Sequence, residues 1–435
     1  MAAQLILGLA ILVTLHELGH FLAARAFGIK VEKFYLFFDA WGIKLFKFRR
    51  GETEYGIGWL PLGGYVKIAG MIDESMDKEQ MKQPPQSWEF RSKPAWQRLI
   101  VMVAGVTMNV LLGIAIYTYS LLHFSKDYLP VEAVENGIYA YELGRNVGLQ
   151  TGDKILEING KRVKRFSDLS STRVLFGANL TVERNGEIIQ VEVPDDLYRE
   201  VVSKGPGYFI SEDNIPVVVD SLIPGGTAER AGIAAGDKIS VVDGVPVQSL
   251  GHFREMLREK AGSTVKMTLQ NEQGGERSTE VEISETGTIG ISLYNPYREN
   301  ARPYNIGSAL VFGTADAFET LVANAKGLGK ILSGEEKASE SVQGPIGIAT
   351  IYGGKWDWKR FWTITGLLSM ILAFMNILPI PALDGGHVIF LAIEAISGKK
   401  FSDKFMERAQ IVGMVLLLAL MTFAIGNDVW KHFLR

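Results

Sequence analysis

Residues 4–28 read QLILGLAILVTLHELGHFLAARAFG, an apolar stretch of membrane length that contains an HExxH motif. His16 and His20 lie about one helical turn apart, so both imidazoles project from the same face and can reach one zinc ion. Glu17 stands beside them, where its carboxylate can take a proton from a water molecule activated by the metal. Charged groups at the centre of a membrane helix cost about 2.5–3.5 kcal/mol each on insertion scales, so ionisable residues there indicate function. The alternative is a chance motif on a buried helix of a soluble protein, in which the histidines are only core residues.

The composition of the 435-residue chain lies between that of a soluble enzyme and that of a membrane bundle, with 47% hydrophobic and 21% charged residues. A chain of this length can hold about two to four domains, and its apolar ends flank a polar middle. The net charge of −3 gives no indication of nucleic-acid binding, and the absence of cysteine excludes a cysteine zinc site and any disulfide. The first residues, MAAQ, carry no basic segment, so we predict a retained membrane helix and not a cleaved signal peptide.

Four apolar segments predict a multi-pass α-helical membrane protein with four transmembrane helices. These segments occupy residues 1–28, 97–124, 359–396 and 409–427. Arg25 at the end of the first segment and Lys30 just beyond it predict that its C-terminal end faces the cytoplasm, so the N-terminus lies outside. The same topology leaves Lys355 and Lys359 outside, which is an exception to the charge rule.

Residues 29–96, between the first two apolar segments, have a different amino-acid pattern. Short aromatic and β-branched runs over residues 31–70, separated by Arg-Gly and Gly-Gly turns, predict β-hairpins, and a polar connector follows. Two roles are open for these hairpins. They could form a small cytoplasmic sheet, which the pattern alone favours, or they could lie against the membrane and offer an edge strand to a substrate.

An internal repeat organises the polar middle of the chain. Residues 148–155 read GLQTGDKI, and residues 232–239 read GIAAGDKI; each is followed by an Asn-Gly or Asp-Gly hairpin signal. We therefore predict two tandem α+β domains over residues 126–212 and 213–298. Their pattern resembles PDZ domains, and the loops that would receive a peptide C-terminus are 207–210 and 288–291. The alternative is a pair of small domains that bind no peptide and only exclude bulky partners.

Residues 303–358 are predicted to hold a helix and a loop outside the membrane. Apolar residues recur with helical spacing over 305–333 and are interleaved with Lys326 and Lys330. This pattern favours an amphipathic helix on the outer membrane surface, with a soluble packing helix as an equal alternative.

The third apolar segment is broken by prolines and glycines in the stretch NILPIPALDGGH, residues 376–387. Irregular backbone at membrane depth is tolerated where it lines a cavity in the protein. A catalytic zinc site needs a third protein ligand, and Asp384 is the obvious donor, with His387 as a competitor. Asn376 could hydrogen-bond the substrate or the developing oxyanion, or it could only cap a helix.

Three features together resemble the site-2 protease family. They are HELGH in the first apolar segment, the pattern N-x-x-P-x-P-x-L-D-G at 376–385, and the tandem PDZ-like repeats. The resemblance covers essentially the whole chain. Within the family, the chain resembles the bacterial regulator-of-sigma-E type. It implies a zinc cofactor held by His16, His20 and Asp384, with Glu17 as the general base.

The same resemblance implies that Asn109 and Asn376 lie near the substrate. In the family, Asn109 belongs to a Gly-Pro-x-x-Asn motif, and Val106 stands here in place of the proline. The resemblance further implies that residues 31–70 form a membrane-reentrant β-hairpin, which reverses the preference drawn from pattern alone.

The expected function is therefore that of an intramembrane zinc metalloprotease of the bacterial inner membrane. Its active site would open toward the cytoplasmic side, and its repeats would lie outside, where they could bind peptide C-termini. Its substrate would be a single-span protein in the lipid bilayer, such as an anti-sigma factor already trimmed by another protease. The alternative is a non-enzymatic zinc-bearing scaffold that recruits partners through its repeats and would not need Glu17.

Overall fold

The computed structural model describes residues 1–61, 63–71, 84–271 and 273–431, so residues 72–83 of the predicted connector lie outside the described residues. The helices are α1 (Ala2–Ala26), α2 (Ala95–Ser120), α3 (Glu142–Asn146), α4 (Thr172–Leu175), α5 (Leu197–Lys204), α6 (Thr227–Arg230), α7 (Leu250–Glu259), α8 (Ile306–Ser333), α9 (Ala338–Ser341), α10 (Pro345–Tyr352), α11 (Trp358–Ile377), α12 (Asp384–Ser397) and α13 (Asp403–Val429). The strands are β1 (Val31–Leu36), β2 (Lys44–Arg50), β3 (Thr53–Gly58), β4 (Tyr65–Ile68), β5 (Asp127–Tyr128), β6 (Tyr139–Ala140), β7 (Lys154–Ile158), β8 (Lys161–Arg162), β9 (Ala178–Arg184), β10 (Glu187–Val193), β11 (Ile210–Ser211), β12 (Val219–Leu222), β13 (Lys238–Val242), β14 (Val245–Pro246), β15 (Thr264–Gln270), β16 (Glu276–Glu282), β17 (Ile291–Leu293) and β18 (Arg302–Pro303).

The chain divides into two compact units. The membrane unit comprises Met1–Lys126 and Asn305–Arg435, and the repeat unit comprises Asp127–Tyr304. In the described part of the chain, the membrane unit contains the long apolar helices and one four-stranded sheet, whereas the repeat unit contains two four-stranded sheets and three two-stranded pairs around two separate cores. This confirms the prediction of several apolar helices combined with separate β-sheets.

Five helices within the described residues are long and apolar enough to cross a membrane. Four of them, α1, α2, α11 and α13, occupy the four predicted spans, and α8 is the fifth. Each has at least twenty residues, and twenty residues of α-helix extend about 30 Å, the thickness of a hydrocarbon core. How many of the five cross the bilayer stays a prediction, because length and composition are the only criteria met.

Helix α8 packs through small residues and exposes large ones. A side chain at Gly313 would lie 2.7 Å from the backbone nitrogen of Thr118, and the Thr320 hydroxyl lies 2.9 Å from that of Tyr117. The two contacts are about two turns apart on α8 but meet adjacent residues of α2, so α8 crosses α2 near the C-terminal end of α2. Its other face exposes large apolar side chains at Ile306, Leu310, Val311, Phe318, Val322 and Leu332. Lipid can cover such an apolar face both in a helix that crosses the bilayer and in the predicted helix on its outer surface.

The third apolar segment is interrupted, as the prolines and glycines predict. Helix α11 ends at Ile377, residues 378–383 are irregular, and α12 begins at Asp384. Ala382 has a φ of 78°, a left-handed conformation that alanine rarely adopts. The break therefore places Asp384 in the first turn of a new helix.

The sheet of the membrane unit has the strand order β2-β3-β1-β4. Strands β2 and β3 form an antiparallel hairpin, as predicted, and β4 is antiparallel to β1. Strand β1 pairs with β3 in parallel, an arrangement that the hairpin prediction did not include. Strand β4 is an edge strand, and the sheet packs closely on α1, because a side chain at Gly64 would lie 2.7 Å from Cγ1 of Val13.

The two copies of the repeat have the same strand order. The first copy, β6 to β11, contains the sheet β10-β9-β7-β8, and the second copy, β12 to β17, contains β14-β13-β15-β16. Each copy adds a two-stranded pair, β11-β6 or β12-β17. The internal repeat of the sequence therefore corresponds to two similarly built domains, while their identity as PDZ domains stays a prediction.

The aspartate of the repeated Gly-Asp sequence has the same partners in both copies. Asp153 Oδ2 accepts a hydrogen bond from the backbone N–H of Gln150 at 2.8 Å and lies 2.7 Å from the Arg184 guanidinium. In the second copy, Asp237 Oδ2 accepts from the backbone N–H of Ala234 at 2.7 Å and pairs with Arg277. These carboxylates are buried and satisfied, so the repeated aspartate is structural.

The second copy covers the loop of the first copy that was predicted to receive a peptide. Arg258 of α7 donates a hydrogen bond to the carbonyl oxygen of Gly207 at 2.8 Å, and its guanidinium lies 4.7 Å from the ring centre of Tyr208. The backbone N–H groups of Tyr208 and Phe209 donate to carbonyls within the same short turn. Two of the four backbone amides of this loop are therefore already used.

Candidate metal centre

Three side chains from two helices converge at one point in the membrane unit. Oδ2 of Asp384 lies 3.2 Å from Nε2 of His16 and 3.3 Å from Nε2 of His20. The two Nε2 atoms are 3.3 Å apart. The three ligand atoms thus form a nearly equilateral triangle, and the HExxH motif and Asp384 meet as predicted.

This triangle fits a zinc ion. Zinc binds imidazole nitrogen and carboxylate oxygen at about 2.0–2.1 Å in a tetrahedron, which places neighbouring ligand atoms about 3.3–3.4 Å apart. Oδ2 of Asp384 is buried and has no hydrogen-bond partner among the described residues. A buried carboxylate oxygen that faces two imidazole nitrogens without a donor is the arrangement that a bound cation would satisfy.

The helix α2 leaves room for the two histidines. Gly105 of α2 faces them, and a side chain there would lie 2.7 Å from Cε1 of His16 and would overlap Nε2 of His20. On α1, a side chain at Gly19 would lie 2.8 Å from the carbonyl carbon of Ala104. Glycines on both helices therefore allow α1 and α2 to approach closely enough to bury the motif.

The ring of His20 is held by the backbone of α2. Its Nδ1 lies 2.8 Å from the carbonyl oxygen of Val101, which can only accept, so Nδ1 carries the proton. In a neutral imidazole this leaves the lone pair on Nε2, the atom that faces Asp384. His20 is thus oriented as a metal ligand by its other ring nitrogen.

Asn109 of α2 lies beside Nδ1 of His16, as the carbonyl group of Val101 lies beside Nδ1 of His20. Its side-chain amide is fully buried, with Nδ2 at 3.2 Å from Nδ1 of His16 and with Oδ1 buried and unpaired within the described residues. Oxygen and nitrogen of an amide are exchanged by a 180° rotation, which would let Oδ1 accept from Nδ1–H and leave the Nε2 lone pair free. The backbone oxygen of Asn109 accepts from the Ser369 hydroxyl at 2.7 Å, which ties α2 to α11.

A cavity of about 580 Å³ opens beside the three ligands. Glu17, the predicted general base, lines it, and so do Asn109, Asn376 and His387. Strand β4 also lines it with Tyr65, Val66, Lys67 and Ile68. The edge of the sheet and the candidate metal ligands therefore share one cavity that is large enough for an extended peptide segment.

A sequence profile of peptidase family M50 matches residues 4–420. The chain belongs to peptidase family M50. The predicted resemblance to site-2 proteases is thereby confirmed, and so is the prediction of a zinc-dependent metalloprotease. Together with its apolar helices, this makes the M50 peptidase an integral membrane enzyme.

Relatives align with this M50 peptidase over nearly its whole length. The regulator of sigma-E protease of Escherichia coli is 29% identical over 460 residues, which cover 98% of this chain and 97% of that protein. The regulator of sigma-E protease of Haemophilus influenzae is 28% identical over 444 residues and 97% of each chain. The protease RseP of Yersinia pestis is 28% identical over 456 residues, which cover 98% of this chain and 97% of that protein.

The structure brings all predicted site residues of the M50 peptidase to the same cavity, although their individual roles stay predictions. His387 lines the cavity but is not part of the triangle of ligand atoms, which argues for Asp384 as the third ligand. Sequence reasoning missed Gln410 of α13, which also lines the cavity. Its signal was available, because it is an amide at the start of an otherwise apolar segment.

Proposed function

We propose that this M50 peptidase cuts single-span membrane proteins within the membrane. His16, His20 and Asp384 hold the zinc ion, and Glu17 is the general base. The observation that carries the proposal is the triangle of ligand atoms, 3.2–3.3 Å on each side, in which both histidines and the neighbouring Glu17 belong to the membrane-length helix α1, packed against the membrane-length helix α2. A soluble metalloprotease would have no need to build its site from such helices.

The side chains suggest a division of tasks in peptide hydrolysis. A bound zinc ion supplies Lewis acidity, which polarises a peptide carbonyl and makes water a better acid. Glu17 takes the proton of the attacking water and returns it to the leaving amine. Asn376 lines the cavity and donates its amide N–H to the substrate carbonyl or to the oxyanion that develops there. Asn109 holds His16 through Nδ1.

The sheet of the membrane unit is proposed to hold the substrate extended. A helical substrate hides its carbonyls in intrahelical hydrogen bonds, so it has to unwind before it can be cut. The edge strand β4 lines the cavity, and an unwound segment can pair with it by strand addition. This supports the role beside the membrane over that of a plain cytoplasmic sheet.

Strand β2, at the other edge of the sheet, is suited to contact with lipid. Leu45, Phe46 and Phe48 expose 68%, 57% and 51% of their surface, and Trp41 exposes 84%. Exposed lysines and arginines on the same strand can reach headgroups while the apolar side chains enter the bilayer. Such a surface would be a liability in water, so it supports a membrane-reentrant hairpin.

Glu17→Gln tests the enzyme mechanism against the zinc-bearing scaffold. The amide keeps the shape of the side chain but cannot accept the proton, so the variant should retain zinc and lose proteolysis by about 10²–10⁴-fold. Cleavage of a synthetic membrane-spanning peptide and the metal content of the purified protein are the two measurements. Glu259→Gln, at an exposed position of α7, is the matched control and should cut normally. Undiminished cleavage by Glu17→Gln would remove Glu17 as the general base, whereas no cleavage by the zinc-loaded wild type would leave only the scaffold.

The substrate is proposed to be an anti-sigma-factor-like protein of the bacterial inner membrane. Relatives named regulator of sigma-E protease, aligned over nearly their full length, support this class. The basic residues after the first helix support an N-terminus outside, which places the repeat unit outside and the metal site toward the cytoplasm. A hydrocarbon core of about 30 Å then separates the repeats from the chemistry, so the repeats control access and take no part in catalysis.

Of the two access roles, we favour a size filter over capture of a peptide end. Arg258 of the second copy covers the loop of the first copy at Gly207, which supports a filter that needs only volume. Deleting residues 130–295 and inserting a flexible bridge should permit cleavage of substrates that still carry their outer domain. Trimmed and untrimmed substrates in cells with this deletion provide the comparison. If the deletion variant cleaves trimmed substrate but still does not cleave untrimmed substrate, another part of the chain, such as α8, excludes the outer domain.

A further inference from the structure

Helix α13 touches the irregular segment between α11 and α12 at two positions on one face. Gln410 is 6% exposed, and its Oε1 accepts a hydrogen bond from the backbone N–H of Ala382 at 3.2 Å. Gly413, one turn later, lies against the same segment, and a side chain there would overlap the carbonyl oxygen of Pro381. The backbones of α13 and of the irregular segment are therefore as close as they can be without a side chain between them.

The hydrogen bond from Ala382 lies at the strained point of this segment. Ala382 is held at a φ of 78°, where glycine would be relaxed and alanine is not. Strained backbone persists where surrounding contacts hold it, and here the only partner of the Ala382 N–H within the described residues comes from α13. On the far side, Leu383 N–H donates to the carbonyl oxygen of Ile380 at 3.0 Å, so the turn is fixed from both ends.

This turn determines where Asp384 lies. Asp384 follows Ala382 by two residues and begins α12, so a change in the backbone at Ala382 moves the carboxylate relative to His16 and His20. The three ligand atoms are 3.2–3.3 Å apart, and a shift of about 1 Å would spoil that geometry.

We infer that Gln410 is a positioning residue for the metal centre. It holds Ala382 in its left-handed conformation, and through that turn it places Asp384 for zinc. The inference rests on the proposed role of Asp384 as a zinc ligand and adds a residue from α13, which supplies no ligand itself. Plain interhelical glue is the competing role for a buried amide, and it predicts no special relation to Ala382.

A double-mutant cycle separates these roles. Full-length wild type, Gln410→Met, Ala382→Gly and the double variant are purified in detergent and stripped of metal, and zinc is titrated against a chromophoric chelator. Gln410→Met should weaken zinc binding at least about tenfold, as loss of an outer partner of a metal site does. Ala382→Gly removes the conformational strain, so the double variant should recover most of that loss. The visible spectrum of the cobalt-loaded protein gives a second readout, which should change in Gln410→Met and return in the double variant.

Two results overturn the inference: zinc affinity of Gln410→Met within about threefold of wild type, or a loss that Ala382→Gly does not recover. Thr422→Val is the control on the same helix and should bind zinc normally, because the one partner of the Thr422 hydroxyl among the described residues is the carbonyl oxygen of Leu418 in α13, at 2.8 Å. If Gln410→Met does not fold, Gln410→Glu tests the inference instead. Its carboxylate can still accept the hydrogen bond from the Ala382 N–H, so this variant must bind zinc at least as tightly as wild type. Asp384→Ala in the same titration tests the ligand itself. Normal zinc binding by Asp384→Ala would refute the proposed metal site. If Asp384→Ala loses zinc while Gln410→Met binds it normally, only the inference about Gln410 is refuted.

Discussion

Asp237 in the repeat unit and Asp384 in the membrane unit both keep a carboxylate oxygen away from water, but their surroundings differ in kind. Asp237 Oδ2 accepts from a backbone N–H at 2.7 Å and pairs with an arginine. Asp384 Oδ2 faces two imidazole nitrogens at 3.2 and 3.3 Å and has no hydrogen-bond donor among the described residues. Asp237 is satisfied by the protein alone, whereas Asp384 lacks a positive partner that a metal ion would supply.

The first copy of the repeat shows that the difference is systematic. Asp153 repeats the contacts of Asp237, with its own arginine and its own backbone N–H. A buried acid that recurs with the same complete set of partners stabilises a fold, and a buried acid with an incomplete set indicates a ligand site. The comparison therefore separates structural from functional carboxylates by their hydrogen bonds and not by their burial.

The largest effect expected from this comparison is on metal binding. Asp384→Ala should lower zinc affinity and proteolysis by more than about a hundredfold, because even loss of an outer partner costs 10–100-fold. Asp237→Ala should leave the metal content unchanged, since its partners belong to the repeat unit. Zinc content after dialysis and cleavage of a synthetic membrane-spanning peptide measure both variants. Full zinc occupancy and full activity in Asp384→Ala would remove this residue from the site.

A smaller effect is expected at Asn109, which contacts the site but is not a ligand in our proposal. Asn109→Leu keeps the volume and removes the hydrogen bond to Nδ1 of His16, so zinc affinity should fall about 10–100-fold. Competition with a chromophoric chelator measures it. Ser369→Ala is the control, because it removes only the bond to the Asn109 backbone. If zinc affinity is unchanged while KM for the peptide rises, Asn109 acts on substrate instead, as the family resemblance implies.

The repeat unit should respond in stability where the membrane unit responds in metal binding. Asp153→Ala and Asp237→Ala each leave a backbone N–H without its acceptor and remove the ion pair with an arginine, which should destabilise the affected copy by about 1–3 kcal/mol. Hydrogen exchange of the full-length protein can follow β7 and β13 separately. Equal loss of protection in both copies from a single substitution would show that the copies do not unfold independently.

The smallest effect expected is a pH dependence that distinguishes the two copies. Asn159 and Asp243 occupy equivalent turns, and each Oδ1 accepts from a backbone N–H, that of Asn179 at 2.9 Å or of Lys266 at 2.8 Å. The hydrogen bond from Lys260 lowers the pKa of Asp243 below its usual value. Because the folded pKa lies below the unfolded one, Asp243 stabilises its turn above about pH 4, and this contribution is lost as pH falls through the folded pKa.

The amide resonances of the two turns provide the measurement for this pH dependence. The Lys266 amide should shift as acid protonates Asp243, while the Asn179 amide should not, since Asn159 does not titrate. Asp243→Asn should abolish the shift. A Lys266 amide that titrates with the midpoint of an ordinary aspartate would show that Lys260 does not act on Asp243.

Much of the site was predictable because its parts are local motifs. The HExxH spacing places two imidazoles on one helix face whatever the rest of the chain does, and the prolines and glycines of 376–387 break a helix by their own backbone preferences. The choice of Asp384 over His387 needed the resemblance or the structure, because both residues sit near the same break. The hydrogen-bond partners that α2 provides for His16 and His20 could not be predicted from the sequence, because packing determines which face of α2 contacts α1.

The amino-acid sequence by itself determined the apolar helices, the helix break, the metal-binding motif and the internal repeat, because each follows from local periodicity, backbone preference or self-similarity. Only the tertiary structure revealed the parallel pairing of β1 with β3 and the hydrogen bond from Arg258 to Gly207. The same is true of the contact between Asn109 and His16 and of the hydrogen bond between Ala382 and Gln410. Each of these joins groups whose meeting depends on how whole elements pack. No local preference encodes such a contact, since hydrogen-bond geometry is set by distances that only the folded chain defines.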